Sequence, residues 1–274
     1  MTLSPQDLEE LRTARQLLEE VSIAARLTSA LGAPIERGFK LLPEKWTGRV
    51  HKAVEISLQK ALQAAVFSLN PNKRPSRSKD LFHKAAAVGS GGVGGAFGLA
   101  GLTVELPLST TIMLRSVADI ARSEGEDLSD IEARLSCLQV FALGGPDKAD
   151  DAAETGYYAV RAAMAAALSE AAAHIAQRGL ARRGAPALVR FISIIASRFS
   201  ASVAEKIAAM AVPAIGAAGG ALINGIFIRH FQQMARGHFK VRRLERKYGP
   251  EVVRKAWESL DNPPRDAAPG PLET

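Results

Sequence analysis

Ala85 to Gly145 reads AAAVGSGGVGGAFGLAGLTVELPLSTTIMLRSVADIARSEGEDLSDIEARLSCLQVFALGG. It opens in a charge-free, glycine-studded run, passes through Glu105-Leu106-Pro107 and closes in two amphipathic segments. Gly91 and Gly95 are four apart, as are Gly94 and Gly98, a spacing that lines small residues along one helical face. Glycine is about 1 kcal/mol worse than alanine in a helix, so seven in the twenty residues from Ala85 need an offset. Close approach of two helix backbones supplies one, the device that small-xxx-small faces provide inside membranes. The expected partner is a second charge-free run, Ile207 to Ile228, where Gly216, Gly220 and Asn224 repeat the four-residue step. A phosphate-cradling loop would need a strand in front of it and a Gly-Lys-Ser/Thr or GxGxxG signature. No strand pattern precedes, and Lys84 lies on the wrong side.

Pro107 lacks an N–H and clashes with the carbonyl four residues back. It therefore kinks a long helix or opens a new one, with Leu106, Thr110, Met113, Val117 and Ile120 on one face. Gly125 stops that helix. Ser129-Asp130-Ile131-Glu132 reads as a capping box for the next, which carries Ile131, Leu135, Leu138 and Phe141. Upstream, Ser4-Pro5-Gln6-Asp7 is a helix start, with an apolar stripe running to Gly32-Ala33-Pro34. Trp46 to Leu69 is another helix, and Asn70 to Lys79 a basic, proline-bearing linker. Downstream come an alanine-rich helix ended by Gly179, two helices divided near Pro213, and a short one carrying Trp257. No alternating strand pattern occurs, so the expected fold is all-α, multi-helical and built around the Gly/Ala-rich hairpin. The expected organisation is one domain over 1–261: N-terminal helices 4–69, linker 70–79, core 80–249 and terminal helix 250–261. The stretch 262–274, rich in proline, reads as a disordered tail.

The chain has 274 residues, 47% of them hydrophobic but only 5% aromatic, an alanine-driven balance suited to helix packing. The single cysteine, Cys137, excludes an internal disulfide and fits a reducing compartment. No basic segment followed by an apolar one opens the chain, so no signal peptide is read. The net charge of +7 is local: between Arg229 and Lys255 nine Lys/Arg face only Glu245 and Glu251, leaving 26 basic and 26 acidic residues elsewhere. That element points to an anionic surface. Phe231, Met234, Val241 and Leu244 lie opposite Arg236, Lys240, Arg243 and Lys247, the pattern of a basic amphipathic helix at lipid headgroups.

The central block resembles the EcsC family. The residues that carry the likeness are the glycine-rich segment before Val104-Glu105-Leu106-Pro107, then Thr110-Thr111-Ile112-Met113-Leu114-Arg115 with Asp119. Gly125-Glu126-Asp127 and Cys137 to Gly145 continue it, as do Val212-Pro213-Ala214-Ile215-Gly216 through Asn224, His230, and Leu244 to Gly249. The likeness spans roughly 33–249. The family's namesake is encoded beside the ATPase and membrane subunits of an ABC-type transporter, and no catalytic residues are defined that could be carried over. The resemblance implies a bacterial cytoplasmic or membrane-peripheral protein, on the inner face of the cytoplasmic membrane.

Several positions are candidates for chemistry. Glu105 sits between an apolar run and a proline; a buried carboxylate is costly unless paired, so it is a general base, a metal ligand or a structural partner of Arg115 or of freed backbone N–H groups. Arg115 and Asp119 are spaced as an i,i+4 ion pair. His230 and Asn224 are the remaining polar candidates. His51 and His83 are expected on solvated faces, and Cys137 in the core. No HExxH, cysteine pair or acid cluster appears, so no metal and no cofactor are assigned. The expectation is a non-enzymatic, membrane-peripheral accessory protein that binds anionic lipid or an integral membrane protein such as a transporter. Arg229, Arg236, Lys240, Arg242, Arg243, Arg246 and Lys247 would make the contact, with the glycine-rich hairpin. Nucleic acid is disfavoured by the lack of a binding fold and of stacking aromatics. The alternative is a small-ligand or lipid binder or a hydrolase, with a pocket near Glu105, Arg115, Asn224 and His230.

Overall fold

A computed structural model describes residues 2–19, 23–31, 36–40, 46–69, 98–143, 156–180, 185–211 and 216–260. The linker at 70–79, Gly91, Gly94, Gly95 and the tail at 262–274 lie outside the described residues. The described residues form ten helices and no strand. In chain order these are α1 (Pro5–Glu19), α2 (Ile23–Leu31), α3 (Glu36–Lys40), α4 (Trp46–Ser68) and α5 (Gly98–Ser123). They continue with α6 (Ile131–Leu143), α7 (Tyr157–Arg178), α8 (Pro186–Met210), α9 (Gly216–Tyr248) and α10 (Pro250–Ser259). The fold is all-α, as the periodicity predicts. One expected helix, from Ser4 towards Gly32, is described as two, α1 and α2.

Pro107 lies inside a continuous α5. The face expected of that segment is the buried one: Leu106, Thr110, Met113 and Val117 are all out of solvent, and Ile120 packs at its edge. Thr111 donates its hydroxyl to the Pro107 carbonyl at 2.8 Å. Gly125 then ends the helix with φ of 79°, a left-handed conformation open to glycine at little cost. The start of α6 differs from the expected capping box. Asp130, not Ser129, is the cap: its Oδ2 accepts from the Ala133 N–H at 3.1 Å. Ser129 is instead drawn back by Asp127, whose Oδ1 accepts the Ser129 N–H at 2.8 Å.

The core centres on four rings from three helices. Phe141 of α6 lies 5.0 Å from Phe199 of α8 and 5.4 Å from Phe231 of α9, with Phe227 5.1 Å from Phe231. These tilted and edge-on arrangements suit ring quadrupoles. Arginines from other helices close exposed helix ends. Arg134 donates to the Val66 carbonyl of α4 at 2.6 Å, and Arg198 to the Ala142 carbonyl of α6 at 2.7 Å. Both carbonyls belong to last turns with no partner inside the helix.

α9, the longest helix, packs against α1, α2, α5, α6, α8 and α10. Gln232 meets Ser116 while Arg242 meets Glu126, so α5 and α9 run in the same direction. α1 runs the opposite way, Asp7 meeting Lys247 and Glu10 meeting Arg243. Their closest approach is at Gly237, where an added Cβ would fall 2.6 Å from Leu18 Cγ and 2.9 Å from the Ala14 carbonyl oxygen. At Gly220 of the expected small-residue face, by contrast, an added Cβ would meet nothing within 4 Å. Among the described glycines the tight contacts are made by Gly237 against α1 and by Gly38 of α3 against the Ala208 backbone of α8, and not by Gly220.

Gly237→Ala should therefore destabilise the fold by about 1–3 kcal/mol through overpacking. Gly220→Ala should stabilise it by roughly 0.5–1 kcal/mol through helix propensity alone. Urea denaturation of the two variants checks both signs; a neutral Gly237→Ala would mean that the α1–α9 contact is loose.

Candidate functional site

Each charge-free run ends at one charge, Glu105 after the first and Lys206 before the second. The fold joins them. Lys206 Nζ donates to Glu105 Oε1 at 2.9 Å and stands 5.1 Å from the centre of the Phe227 ring. Lys206 is only 1% exposed. The partner of Glu105 is therefore Lys206, 101 residues away, and not Arg115. Three helices meet at this pair: the first turns of α5, the last of α8 and the first half of α9. The bordering positions of the two charges were the signal in the sequence that could have paired them.

The other candidates do not gather here. Asp119 pairs with Arg122 at 2.7 Å, three residues on, and not with Arg115. Arg115 is half-buried on α5, roughly 15 Å along the helix axis from Glu105. Asn224 is half-buried, and His230 is buried edge-on against Phe231 with ring centres 5.2 Å apart. Cys137 is buried and its thiol is pushed up to about 12, first by loss of solvent and then by Glu126, which leaves it protonated and unreactive. Among the described residues no group of three His, Cys, Asp or Glu side chains is arranged to hold a metal ion.

The seven cations assigned to a membrane contact fall into two sets. Arg242 donates to both oxygens of Glu126, at 2.8 and 3.2 Å, and Arg246 donates to Glu126 Oε1 and to the Glu124 carbonyl. Arg243 pairs with Glu10 and, at 3.2 Å, with Glu124. Lys247 pairs with Asp7 at 2.8 Å. The Asp7 carboxyl is held well below the usual carboxylate range, mainly by the hydrogen bond from Lys247 and then by those from Ser4 and Tyr248. Arg229, Arg236 and Lys240 have no such partner among the described residues. The apolar side of the helix, Phe231, Met234, Val241 and Leu244, is spent on the protein's own core.

A second polar group, unforeseen in the sequence, lies between α7, α9 and α10. Arg161 grips Glu245 with two bonds of 2.7 and 2.8 Å and stacks over the Tyr157 ring, 5.3 Å from its centre. Tyr157 stacks on Trp257 and shares a 2.9 Å hydrogen bond with His238 Nδ1. His238 is fully buried, and its pKa is lowered well below 6.5 by burial and by the charges of Arg161 and Arg242. It is therefore a neutral imidazole, held in place as structure.

One arrangement has the outline of a hydrolytic triad. His51 Nδ1 lies 3.1 Å from Ser200 Oγ, and its Nε2 lies 3.4 Å from Glu55 Oε1. Ser200 sits in the middle of α8, where the neighbouring backbone N–H groups are already used by the helix. Those N–H groups are therefore not free to bind an oxyanion, a role that backbone N–H groups often take in acyl transfer.

The fold and these pairs define an all-helical protein whose buried charges serve its own architecture. The chain belongs to the EcsC protein family, whose family model matches residues 5–244. No curated protein and no solved structure matches it.

Two tests bear on this chemistry. Lys206→Met alone should cost about 3 kcal/mol by stranding Glu105, and the double variant Glu105→Leu/Lys206→Met should recover most of it, read by denaturant midpoints. The second concerns pH. Because the His238 pKa is lower in the folded chain, acidification below 6.5 protonates only the unfolded chain at first, and stability falls. The Glu205 carboxyl has the opposite sign: burial pushes it up to about 7, so stability falls as pH rises from 4.5 to 7. His238→Asn should remove the acid-side loss and Glu205→Gln the neutral-side loss; melting temperatures across pH 4.5–8 would expose either sign as wrong.

Proposed function

We propose that the protein is a non-enzymatic accessory protein that docks peripherally on anionic membrane through the outer stripe of α9. The observation that carries this reading is the position of the cations without carboxylate partners. Arg229, Arg236 and Lys240 recur at i, i+7 and i+11, one side of a helix, and Leu222 one heptad earlier is exposed. Each Lys or Arg near an anionic surface contributes on the order of 1 kcal/mol. Three such residues give a weak, salt-sensitive contact, because exposed charges are screened within about 10 Å at 0.1 M salt. A stable attachment then needs a second anchor, and an integral membrane protein such as a transporter subunit suits that role. The contact differs in kind from an amphipathic helix lying in the bilayer, since the apolar side of α9 is committed to the core. α8 is long and apolar enough to cross a membrane by length and composition, and it buries Phe191, Ile195, Phe199 and Val203 in the bundle.

Flotation of the purified chain with anionic and neutral liposomes over a salt series tests the proposal. Binding to anionic vesicles alone, fading as salt rises and lost in Arg229→Glu/Arg236→Glu, is the expected result. Absence of flotation at low salt would sink it, and binding that resists salt would point to insertion of the glycine-rich hairpin instead.

A further inference from the structure

A cleft of about 420 Å³ opens between α1, α5 and α9. Leu17 and Ile120 form its apolar part, and Arg236 and Lys240, one turn apart on α9, stand on its wall. Asp119 and Glu124 also line it, but each carboxylate is already met from elsewhere: Asp119 by Arg122 at 2.7 Å and Glu124 by Arg243 at 3.2 Å. Arg236 and Lys240 themselves meet no carboxylate among the described residues, and because Arg243 serves Glu10 as well as Glu124, the cleft and its ion-pair partners hold four cations against three carboxylates, a surplus of one positive charge. Its neutral groups add donors. Gln232 uses one amide N–H on Ser116 Oγ at 2.8 Å, which leaves its second N–H and the Ser116 hydroxyl hydrogen to give. Ser123 adds none, because its hydroxyl already donates to the Ile120 carbonyl at 2.7 Å.

The geometry points to a phosphomonoester-binding site in this cleft, formed by Arg236, Lys240, Gln232 and Ser116. A phosphomonoester carries a charge of about −1.5 to −2 near pH 7 and three acceptor oxygens. It therefore balances both cations and can use several donors at once. A carboxylate, with one charge and two oxygens, would be served by the Arg236 fork alone and leave Lys240 unmet. Leu17 and Ile120 give room for a short carbon skeleton beside the phosphate. The phosphate could be free, as in a small phosphorylated metabolite, or sit at the head of a lipid. The site stands on the cleft and its charge surplus, so it does not require that the bilayer docking proposed above be correct.

Calorimetric titration of the full chain with glycerol phosphate at low salt reads the free form. Flotation with vesicles containing phosphatidic acid, against phosphatidylglycerol at matched charge, reads the lipid form. The expected result is saturable binding of glycerol phosphate, a preference for phosphatidic acid, or both. Arg236→Gln and Lys240→Gln should each weaken it at least tenfold, and Arg178→Gln, at the exposed end of α7 and away from the cleft, should leave it unchanged. All three residues are at least partly solvent-exposed, and equal melting temperatures would exclude a folding defect. Binding of glycerol phosphate without flotation on any vesicle would keep the site and remove the membrane docking. No binding of either form, or binding indifferent to Arg236→Gln and Lys240→Gln, overturns the site.

Discussion

The Glu126 carboxylate lies almost wholly out of water between two guanidinium groups, those of Arg242 and Arg246, and the placement of α9 depends on it. Burying a lone carboxylate costs several kcal/mol, so an acid in that place is tolerable only with its cations in register. The same condition repeats along the helix. α1 brings Asp7 and Glu10, the turn after α5 brings Glu124 and Glu126, and α7 brings Arg161 to Glu245. Advancing α9 by a single residue would turn it by about 100° and separate every one of these pairs at once. Mutual neutralisation therefore fixes where the longest helix lies as firmly as the phenylalanine cluster does.

Much of the architecture is legible in the sequence. Period-3.6 stripes place the helices, put Leu106 to Val117 on one face, which is the buried one, and mark Gly125 as a stop. What a stripe cannot say is who will cover it. The basic helix shows why: a membrane-surface helix and a helix sheathed in protein on both sides share the pattern of apolar and cationic residues. The acids that decide between them sit up to 240 residues away, and single-sequence spacing carries no trace of that pairing. Glu105 was marked as a carboxylate in need of a partner, yet its partner came from a helix 101 residues distant. Local competition was equally hidden. Asp127 claims the Ser129 N–H and shifts the helix cap by one residue, a contest between neighbours that a motif template does not weigh.

The division of the α9 cations matters more for function than their number. Those in its last two turns are bound to the protein's own acids and unavailable to a partner. Those in the middle are open. A surplus that is continuous in the sequence is thus confined to one stretch of the helix, next to a cleft whose two carboxylates, Asp119 and Glu124, are each paired with another cation. Attraction for anions is correspondingly focused, and the surface beyond Arg242 is closer to electrically balanced than the composition suggests.

The antiparallel seating of α1 on the end of α9 has a temporal consequence. Glu10 and Arg243 are 233 residues apart in the chain, and Gly237 receives Leu18 across a similar interval. A ribosome adding about 5–20 residues per second needs on the order of tens of seconds to cover that span. During this time α1 exists without the surface that buries Leu11 and Ala14. α1, made long before α9, is among the last of these helices to be locked in place, and until then its apolar side is open to chaperones or to other nascent chains.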